Sequence, residues 1–147
     1  MVAPSKLGHI VLAVDDVQIS TGFYEDILGL RVTARMSDSM VFLSSRKDAS
    51  HELALIKIKD SNVDYHSNGS RVVHFAWQMA SFEALKEIYS HLLDKKIKIT
   101  RLGDHGISMG IYFFDPDGNE IEVFFELPQE QWPDKDIFSG QFPMKLQ

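Results

Sequence analysis

Short runs of apolar residues, separated by polar and turn-forming residues, predict eight β-strands along this chain. The runs are rich in β-branched and aromatic residues, and Gly, Pro, Asp, Asn or Ser bound them, which favours strands linked by turns. We predict strands at about Leu7–Val14, Leu30–Met36, Met40–Ser44, Glu52–Ile58, Arg71–Gln78, Ile97–Leu102, Gly110–Phe114 and Glu120–Glu126.

Two segments have helical periodicity instead. The first is predicted at about Val17–Leu28, where Asp16 is a suitable N-cap and Gly29 a suitable C-terminal stop. The second is predicted at about Phe82–Lys95, with Ser81 as its N-cap. Its apolar residues share one helical face, at Phe82, Leu85, Ile88, Tyr89, Leu92 and Leu93.

The order of these elements repeats along the chain. "HIVLAV" begins at His9 and "HFAWQM" begins 65 residues later at His74, and the same offset places "FYEDIL" on "IYSHLL". "HELALIKI" falls on "NEIEVFFE" with an offset of 68 residues. Each half therefore reads as one strand, one helix and three strands, which predicts a duplicated βαβββ unit. Unit one covers about 7–58, a linker 59–70, unit two about 71–126 and a C-terminal tail 127–147.

This repeat predicts an α+β fold in a single domain, 1–147. An antiparallel-rich sheet with helices on one face leaves its other face free to curl. Two curled mixed sheets can then enclose a cavity, with the helices outside. We expect the tail to pack through Trp132 and Phe138.

Composition narrows the class of protein. Hydrophobic residues make up 44% of the 147 residues, which is enough for a core, and the absence of cysteine excludes disulfides and thiolate metal sites. The formal charge of −6, without a dense Lys/Arg cluster, argues against a nucleic-acid partner. No segment is long enough to span a membrane, and the N-terminus does not resemble a signal peptide. We expect a soluble cytoplasmic protein.

Strand alternation gives candidate metal ligands. His9 and His74 begin the less bulky face of two equivalent strands, and Glu120 and Glu122 lie opposite the packing face of the last strand. Two imidazoles and one carboxylate form the facial triad of non-haem Fe(II) oxygen enzymes. A single strand histidine is more often a hydrogen-bonded structural residue, and Glu122 could simply face solvent. The shared repeat position of the histidines favours the metal site, but spacing does not choose between the two glutamates.

Five segments resemble the vicinal oxygen chelate superfamily, also called the glyoxalase/bleomycin resistance/dioxygenase family. They are "LGHIVLAVDD", "FYEDILGLRV", "HELAL", "VVHFAW" and "DHGISMGIYFFDPDGNEIEVF", within roughly residues 6–126. "HELAL" and "DHGIS…IYFFDPDGNEIE" are most similar to extradiol catechol 2,3-dioxygenases. The resemblance implies a metal-dependent ring-cleaving dioxygenase that acts on an aromatic catechol-type diol with O₂.

The resemblance also implies a ligand set. His9, His74 and Glu122 match the metal ligands of the family, which selects Glu122 over Glu120. Other members take a fourth ligand from the first half, at the position of Ala54, whose side chain cannot coordinate a metal. This favours a three-ligand site for Fe(II), or alternatively Mn(II), over the four-ligand glyoxalase site.

Three further residues match catalytic positions of the family. His51 matches the histidine that acts on O₂, and His105 and Tyr112 match residues that hydrogen-bond the substrate oxygens. From the residues alone, His51 fits a solvent-facing strand edge and Tyr112 a core tyrosine equally well. His91, expected at the surface of the second helix, and His66, in the linker, have no assigned role.

Two departures from the family bear on the site. The segment "HGISMGIY" is shorter than in the larger two-domain dioxygenases, so the placement of His105 is less fixed than that of Tyr112. Those enzymes carry two such domains and this chain carries one, which implies a homodimer or higher homo-oligomer that completes the pocket. Two alternatives remain: a glyoxalase-type lyase or isomerase, opposed by Ala54, and a metal-free small-molecule binding protein, opposed by the three ligand matches.

Overall fold

The fold consists of two units of the same design. The computed structural model describes residues 1–60 and 72–147 and divides the chain between the two units at residues 69 and 70. Most of the predicted linker, with His66, and the first residue of the predicted fifth strand, Arg71, lie outside the described residues. Across the described ranges, neither helix has the length and apolar character needed to cross a membrane.

Within residues 1–60, unit one contains four strands, one helix and a short 3₁₀ turn, Ile58–Asp60. The strands form a sheet of order β1-β4-β3-β2, in which β1 and β4 are parallel and the other pairs antiparallel. Asp16 caps the helix by accepting bonds from the amides of Gln18 and Ile19, at 2.9 and 3.0 Å, and Gly29 ends it with φ of 64°. The elements are β1 (Ile10–Val14), α1 (Val17–Leu28), β2 (Arg31–Met36), β3 (Met40–Ser44) and β4 (Leu53–Lys57).

Unit two repeats this arrangement. Its sheet has the order β5-β8-β7-β6, again with the first pair parallel and the others antiparallel. Ser81 caps the helix by accepting a bond from the amide of Ala84 at 3.1 Å. The elements are β5 (Phe75–Gln78), α2 (Phe82–Asp94), β6 (Ile99–Asp104), β7 (Ser108–Phe114) and β8 (Glu120–Glu126), followed by a 3₁₀ turn, Gln129–Gln131.

Strand register confirms the α+β fold and the duplication of the βαβββ unit. Val11 of β1 pairs with Ala54 of β4, and Ala76 of β5 pairs with Glu122 of β8. Ala54 and Glu122 therefore occupy the same position in the two sheets, as the offset between the halves predicts.

Each unit also contains a β-bulge that was not predicted from the sequence. Each bulge centres on a threonine, Thr33 in β2 and Thr100 in β6. The Thr33 hydroxyl donates to the Phe42 carbonyl at 3.3 Å, and the Thr100 hydroxyl donates to the Tyr112 carbonyl at 3.1 Å. A bulge adds a residue to one strand and redirects the side chains that follow it.

Each unit buries an apolar layer, part of it contributed by its helix. In α2 the buried residues are Phe82, Leu85, Ile88 and Leu92, which confirms most of the predicted face. Leu93 was wrongly placed on that face and is 52% exposed, because one residue advances about 100° around a helix and carries it away from Leu92. In β8, Ile121 and Val123 are fully buried, as their predicted packing side requires.

Some strands begin or end at residues other than those predicted, because pairing with a neighbouring strand determines where they begin and end. β1 starts at Ile10 and not Leu7, and β5 starts at Phe75, because parallel pairing with β4 and β8 begins at those two residues. β6 lies two residues later than predicted, and β7 begins at Ser108 and not Gly110.

The C-terminal tail packs on unit two, but only partly as predicted. The Trp132 indole N–H donates to the Leu127 carbonyl at 2.7 Å. Phe142 is buried against Phe82 and Phe125, with ring centroids at 5.4 and 6.3 Å. The expectation that the tail packs through Phe138 is wrong, since Phe138 is 67% exposed and Phe142 provides the buried aromatic ring.

Candidate functional site

The six predicted site residues fall into two groups, one in each unit. His74, Glu122, His105 and Tyr112 lie together in unit two and line one cavity of about 460 Å³. His9 and His51 lie together in unit one and line a cavity of about 240 Å³.

His74 and Glu122 are in direct contact. Glu122 lies in β8 and is only 8% exposed, and its Oε2 is 3.2 Å from Nε2 of His74, which directly precedes β5. The parallel pairing of β5 with β8 sets Ala76 opposite Glu122, and His74 shares the face of Ala76. The sheet therefore turns Glu122 towards the histidine and away from Ile121 and Val123.

A glycine makes room for this carboxylate. A Cβ added at Gly110 in β7 would collide with Oε1 of Glu122 and lie 3.0 Å from its Cδ. Gly110 pairs with Gly103 of β6, where an added Cβ would lie 2.8 Å from Nε2 of His105. These two facing glycines, called here the glycine pair, let the side chains of Glu122 and His105 approach the backbone closely.

Tyr112 connects the other members of the group. Its hydroxyl is 3.2 Å from Nε2 of His105, and its ring stands edge-on to His74 with centroids 5.3 Å apart. Burial, helped by a hydrogen bond to Glu122, raises the pKa of Tyr112 to about 12, although nearby Arg101 acts in the opposite direction. The phenol therefore stays protonated at neutral pH. In the contact between the Tyr112 hydroxyl and His105 Nε2, the imidazole tautomer decides which of the two atoms is the donor.

His105 reaches the cavity despite the short segment that separates it from Tyr112. It begins the turn between β6 and β7, where its amide donates to the Ser108 carbonyl at 2.9 Å. Gly106, with φ of 75°, lets the chain reverse within this turn. The turn and the first residues of β7 thus bring the His105 side chain to the cavity.

Arg101 belongs to the site and was missed by sequence reasoning. Its Cζ lies 3.5 Å above the centroid of the Tyr112 ring, and its Nη2 donates to Oε1 of Glu120 at 3.2 Å. The bulge at Thr100 sets the strand register that pairs Arg101 with Tyr112. The recurrence of a threonine in the equivalent strand of each half was the only sequence signal for this bulge. The two glutamates have different partners: Glu122 contacts His74, and Glu120 pairs with Arg101.

In unit one, His9 and His51 form a second histidine group. Their ring centroids are 4.4 Å apart at an angle of 37°, and Phe42 meets His51 edge-on at 5.0 Å. The Ser50 hydroxyl is 2.9 Å from Nδ1 of His51. His9 directly precedes β1, and His51 lies two residues before β4. Neither is a strand residue, so loops and ring contacts hold their side chains.

The donor set of unit two fits a divalent metal in part. Within 1–60 and 72–147, no group of three or more His, Cys, Asp or Glu side chains is arranged to hold a metal ion. His74 and Glu122 do offer an imidazole nitrogen and a carboxylate oxygen, which iron and manganese both accept. His74 also has a buried Nδ1 without a hydrogen-bond partner among the described residues. The pair supplies two ligands, and a third must come from another side chain.

Comparison with known proteins identifies the family of the sequence. A model of the Glyoxalase/Bleomycin resistance protein/Dioxygenase superfamily matches residues 6–123. The chain is 28% identical over 134 residues to biphenyl-2,3-diol 1,2-dioxygenase 3 of Rhodococcus globerulus, covering 88% of this chain and 70% of that protein. It is 27% identical over 129 residues to catechol-2,3-dioxygenase of Bacillus subtilis (strain 168), covering 87% of this chain and 44% of that protein. The chain thus spans less than half the length of the second relative.

A solved structure shows the same fold. Lactoylglutathione lyase from Agrobacterium tumefaciens superposes with a TM-score of 0.68, covering 84% of this chain and 95% of that one. The identity is 21%, so this likeness concerns the fold and not the reaction.

Proposed function

We propose that this chain, which belongs to the Glyoxalase/Bleomycin resistance protein/Dioxygenase superfamily, is a metal-dependent extradiol dioxygenase that opens a catechol-type ring with O₂. The observation that carries the proposal is the contact of His74 with the buried Glu122, with Tyr112 and His105 beside them in one cavity. A part-exposed imidazole and a buried carboxylate next to two hydrogen-bonding groups suit a diol, which presents two adjacent oxygens. The two dioxygenases compared above are named for a biphenyl diol and for catechol.

The proposed ligands are His9, His74 and Glu122, for Fe(II) or alternatively Mn(II). His74 and Glu122 are supported by their contact, and His9 by its equivalent position in the repeat of unit one. When bound, such a metal supplies Lewis-acid chemistry and a template for the reactants.

The side chains of unit two have separate tasks in this proposal. Tyr112 stays protonated because burial and Glu122 raise its pKa to about 12, so its hydroxyl can donate to a diol oxygen. His105, within 3.2 Å of that hydroxyl, can orient it and can exchange a proton through its imidazole. Arg101 holds the Tyr112 ring from the other face by a cation–π contact.

His51 of unit one is proposed to handle protons during the chemistry of O₂. Support for this role comes from its match to the family motif "HELAL" and from the fixed position of its ring beside Ser50 and Phe42. The aromatic diol and O₂ are the proposed small-molecule partners. A homo-oligomer that completes the pocket remains part of the proposal.

Two rival functions are disfavoured by particular residues. A glyoxalase-type lyase or isomerase with a fourth metal ligand would need a coordinating side chain where β4 carries Ala54, which is fully buried and apolar. A metal-free binding protein has no evident use for the buried Glu122 beside His74.

Metal analysis tests the proposal most directly. After anaerobic loading with Fe(II), we expect one metal ion per chain in the wild type and O₂ uptake with catechol or 2,3-dihydroxybiphenyl. We expect Glu122→Ala to lose the metal, because it removes a proposed ligand. Glu120→Ala is the matched control, since Glu120 lies on the same strand face but pairs with Arg101, and it should retain the metal.

The outcomes separate the hypotheses. Stoichiometric metal in Glu122→Ala would contradict the ligand assignment. A stable metal site that supports no O₂ uptake with either diol would favour the lyase alternative instead.

A further inference from the structure

Phe138 occupies an unusual place in the tail. It is 67% exposed, and it lines the same cavity as Glu122 and Tyr112, which are 8% and 2% exposed. A single exposed apolar residue is ordinary on protein surfaces. What distinguishes Phe138 is that this exposed ring lines the same cavity as the buried polar side chains of Glu122 and Tyr112.

The turn that carries Phe138 is fixed from both sides. Ser139 donates to the Asp136 carbonyl from its amide at 2.8 Å and from its hydroxyl at 2.7 Å. Beyond the turn, the Phe142 amide donates to both carboxylate oxygens of Asp104, at 2.9 and 3.1 Å, and the Phe142 ring is buried. Phe138 is therefore presented by an anchored segment.

The same segment crosses the turn that carries His105. A Cβ added at Gly106 would collide with the Ser139 carbonyl oxygen and lie 3.2 Å from the carbonyl carbon of Phe138. The Asp104 carboxylate accepts from the Gly106 amide at 3.0 Å as well as from Phe142. One carboxylate thus joins the turn of the site to the tail.

We propose that Phe138 is a specificity-determining residue, which contacts an apolar ring substituent of the diol. The inference rests on the proposed function, because it takes the two diol oxygens to lie next to His74, Glu122 and Tyr112. Phe138 and the half-buried Phe124 provide apolar rings along the same cavity, where they can contact a substituent of that ring. Aromatic rings favour stacked or edge-on contacts with other rings. An aryl substituent is therefore a suitable probe of the role of Phe138.

Because Phe138 lies in the C-terminal tail, the proposed recognition of the ring substituent belongs to the tail. The family model matches residues 6–123, so Phe138 lies beyond the matched segment. The proposed ligands and the tyrosine belong to that segment, and the residue that recognises the substituent does not.

Binding measurements on the anaerobic, Fe(II)-loaded protein test the inference without relying on turnover. By calorimetry, we expect the wild type to bind 2,3-dihydroxybiphenyl more tightly than catechol. Phe138→Ala should weaken the binding of 2,3-dihydroxybiphenyl about 2- to 12-fold, the range of a lost ring–ring contact, and leave catechol binding unchanged. Phe114→Ala, which removes another exposed phenylalanine outside the cavity, should leave both affinities unchanged.

Each of the other possible results of these binding measurements would contradict a specific part of the proposal. Equal weakening of both probes in Phe138→Ala would overturn the substituent contact and assign Phe138 to support of the His105 turn. Unchanged binding of both probes would overturn any role for Phe138. A wild type that takes up Fe(II) but binds neither diol would overturn the proposed function itself, together with the role of Phe138 that rests on it.

Discussion

Tyr112 is a buried tyrosine whose pKa lies well above its ordinary value. It is 2% exposed and lies between the Glu122 carboxylate, which resists formation of a second negative charge, and the Arg101 guanidinium, which favours it. Burial and the carboxylate prevail, and the pKa of Tyr112 reaches about 12. The cavity thus contains a hydrogen-bond donor whose protonation does not change across the neutral range.

This shift links stability to alkaline pH. A tyrosine in an unfolded chain titrates near 10, so the stabilisation by Tyr112 is complete below about pH 10 and is lost as pH rises through 12. The total loss should be roughly 2 to 3 kcal/mol for a shift of this size. Urea unfolding between pH 8 and pH 12 should show a smaller decline in Tyr112→Phe than in the wild type.

Absorbance of tyrosinate provides the control for that prediction. The chain contains four tyrosines, and the component that titrates near pH 12 should vanish in Tyr112→Phe and persist in Tyr89→Phe. Persistence of that component in Tyr112→Phe would show that another tyrosine is responsible.

At the scale of elements, the β7–β8 hairpin depends on one carboxylate. Asp115 is 5% exposed, and its Oδ1 accepts from the amides of Asp117 and Asn119, at 2.9 and 2.8 Å. Its Oδ2 accepts from the Asn119 side chain at 2.8 Å. These bonds close the turn that begins β8, and β8 carries Glu122.

Substitutions at Asp115 should therefore destabilise the hairpin in steps. Asp115→Ala leaves two backbone amides and one side-chain amide without their acceptor and should cost roughly 2 to 4 kcal/mol. Asp115→Asn keeps an acceptor for both backbone amides and loses only the bond to the Asn119 side chain, so its cost should be about half as large. Free energies of unfolding from denaturant titration would measure both; equal costs would mean that the Asn119 side-chain bond provides most of the stabilisation.

Elements were predictable where their ends have local causes. α1 has both the Asp16 cap and Gly29 in sequence, and β8 follows the "DPDGN" turn, so their ends matched the prediction. β1, β5 and β6 did not match, because pairing with a distant strand or a bulge decides where those strands begin and end. Arg101 was missed for the same reason, since only the bulge brings its guanidinium over Tyr112.

At the scale of the whole molecule, the duplicated units share topology and differ in chemistry. Both keep the strand order and the threonine bulge, yet β4 carries Ala54 where β8 carries Glu122. Phe42 pairs with Ala54, and Tyr112 pairs with Glu122, so an apolar pair in unit one corresponds to a polar pair in unit two. The repeat and the family resemblance predicted that His74, His105, Tyr112 and Glu122 would share a site. The positions of the glycine pair, Phe138 and Arg101 depend on how the strands and the tail pack against one another, which no local sequence pattern indicates.

The proposal makes unit one contribute to metal binding. If His9 is a ligand, His9→Ala should lower the affinity for Fe(II) at least 10-fold, because one of three donor groups is gone. His51→Ala removes the ring that stacks on His9; it should retain the metal and lose O₂ uptake, since its proposed task is proton handling. Calorimetric metal titration of both variants distinguishes them, and wild-type affinity in His9→Ala would exclude His9 as a ligand.

The glycine pair gives the site an uneven tolerance to genetic change. Every replacement of a glycine adds at least one carbon atom, and at both positions that first carbon meets a functional side chain. At Gly103 and Gly110 even the smallest substitution therefore requires a neighbouring side chain of the candidate site to move, although neither glycine contributes a reactive group. Replacement of Tyr112 by phenylalanine removes only one hydroxyl, whereas the smallest replacement at Gly110 displaces the Glu122 carboxylate. In this cavity, two residues without side chains restrict which sequence changes leave Glu122 and His105 in place.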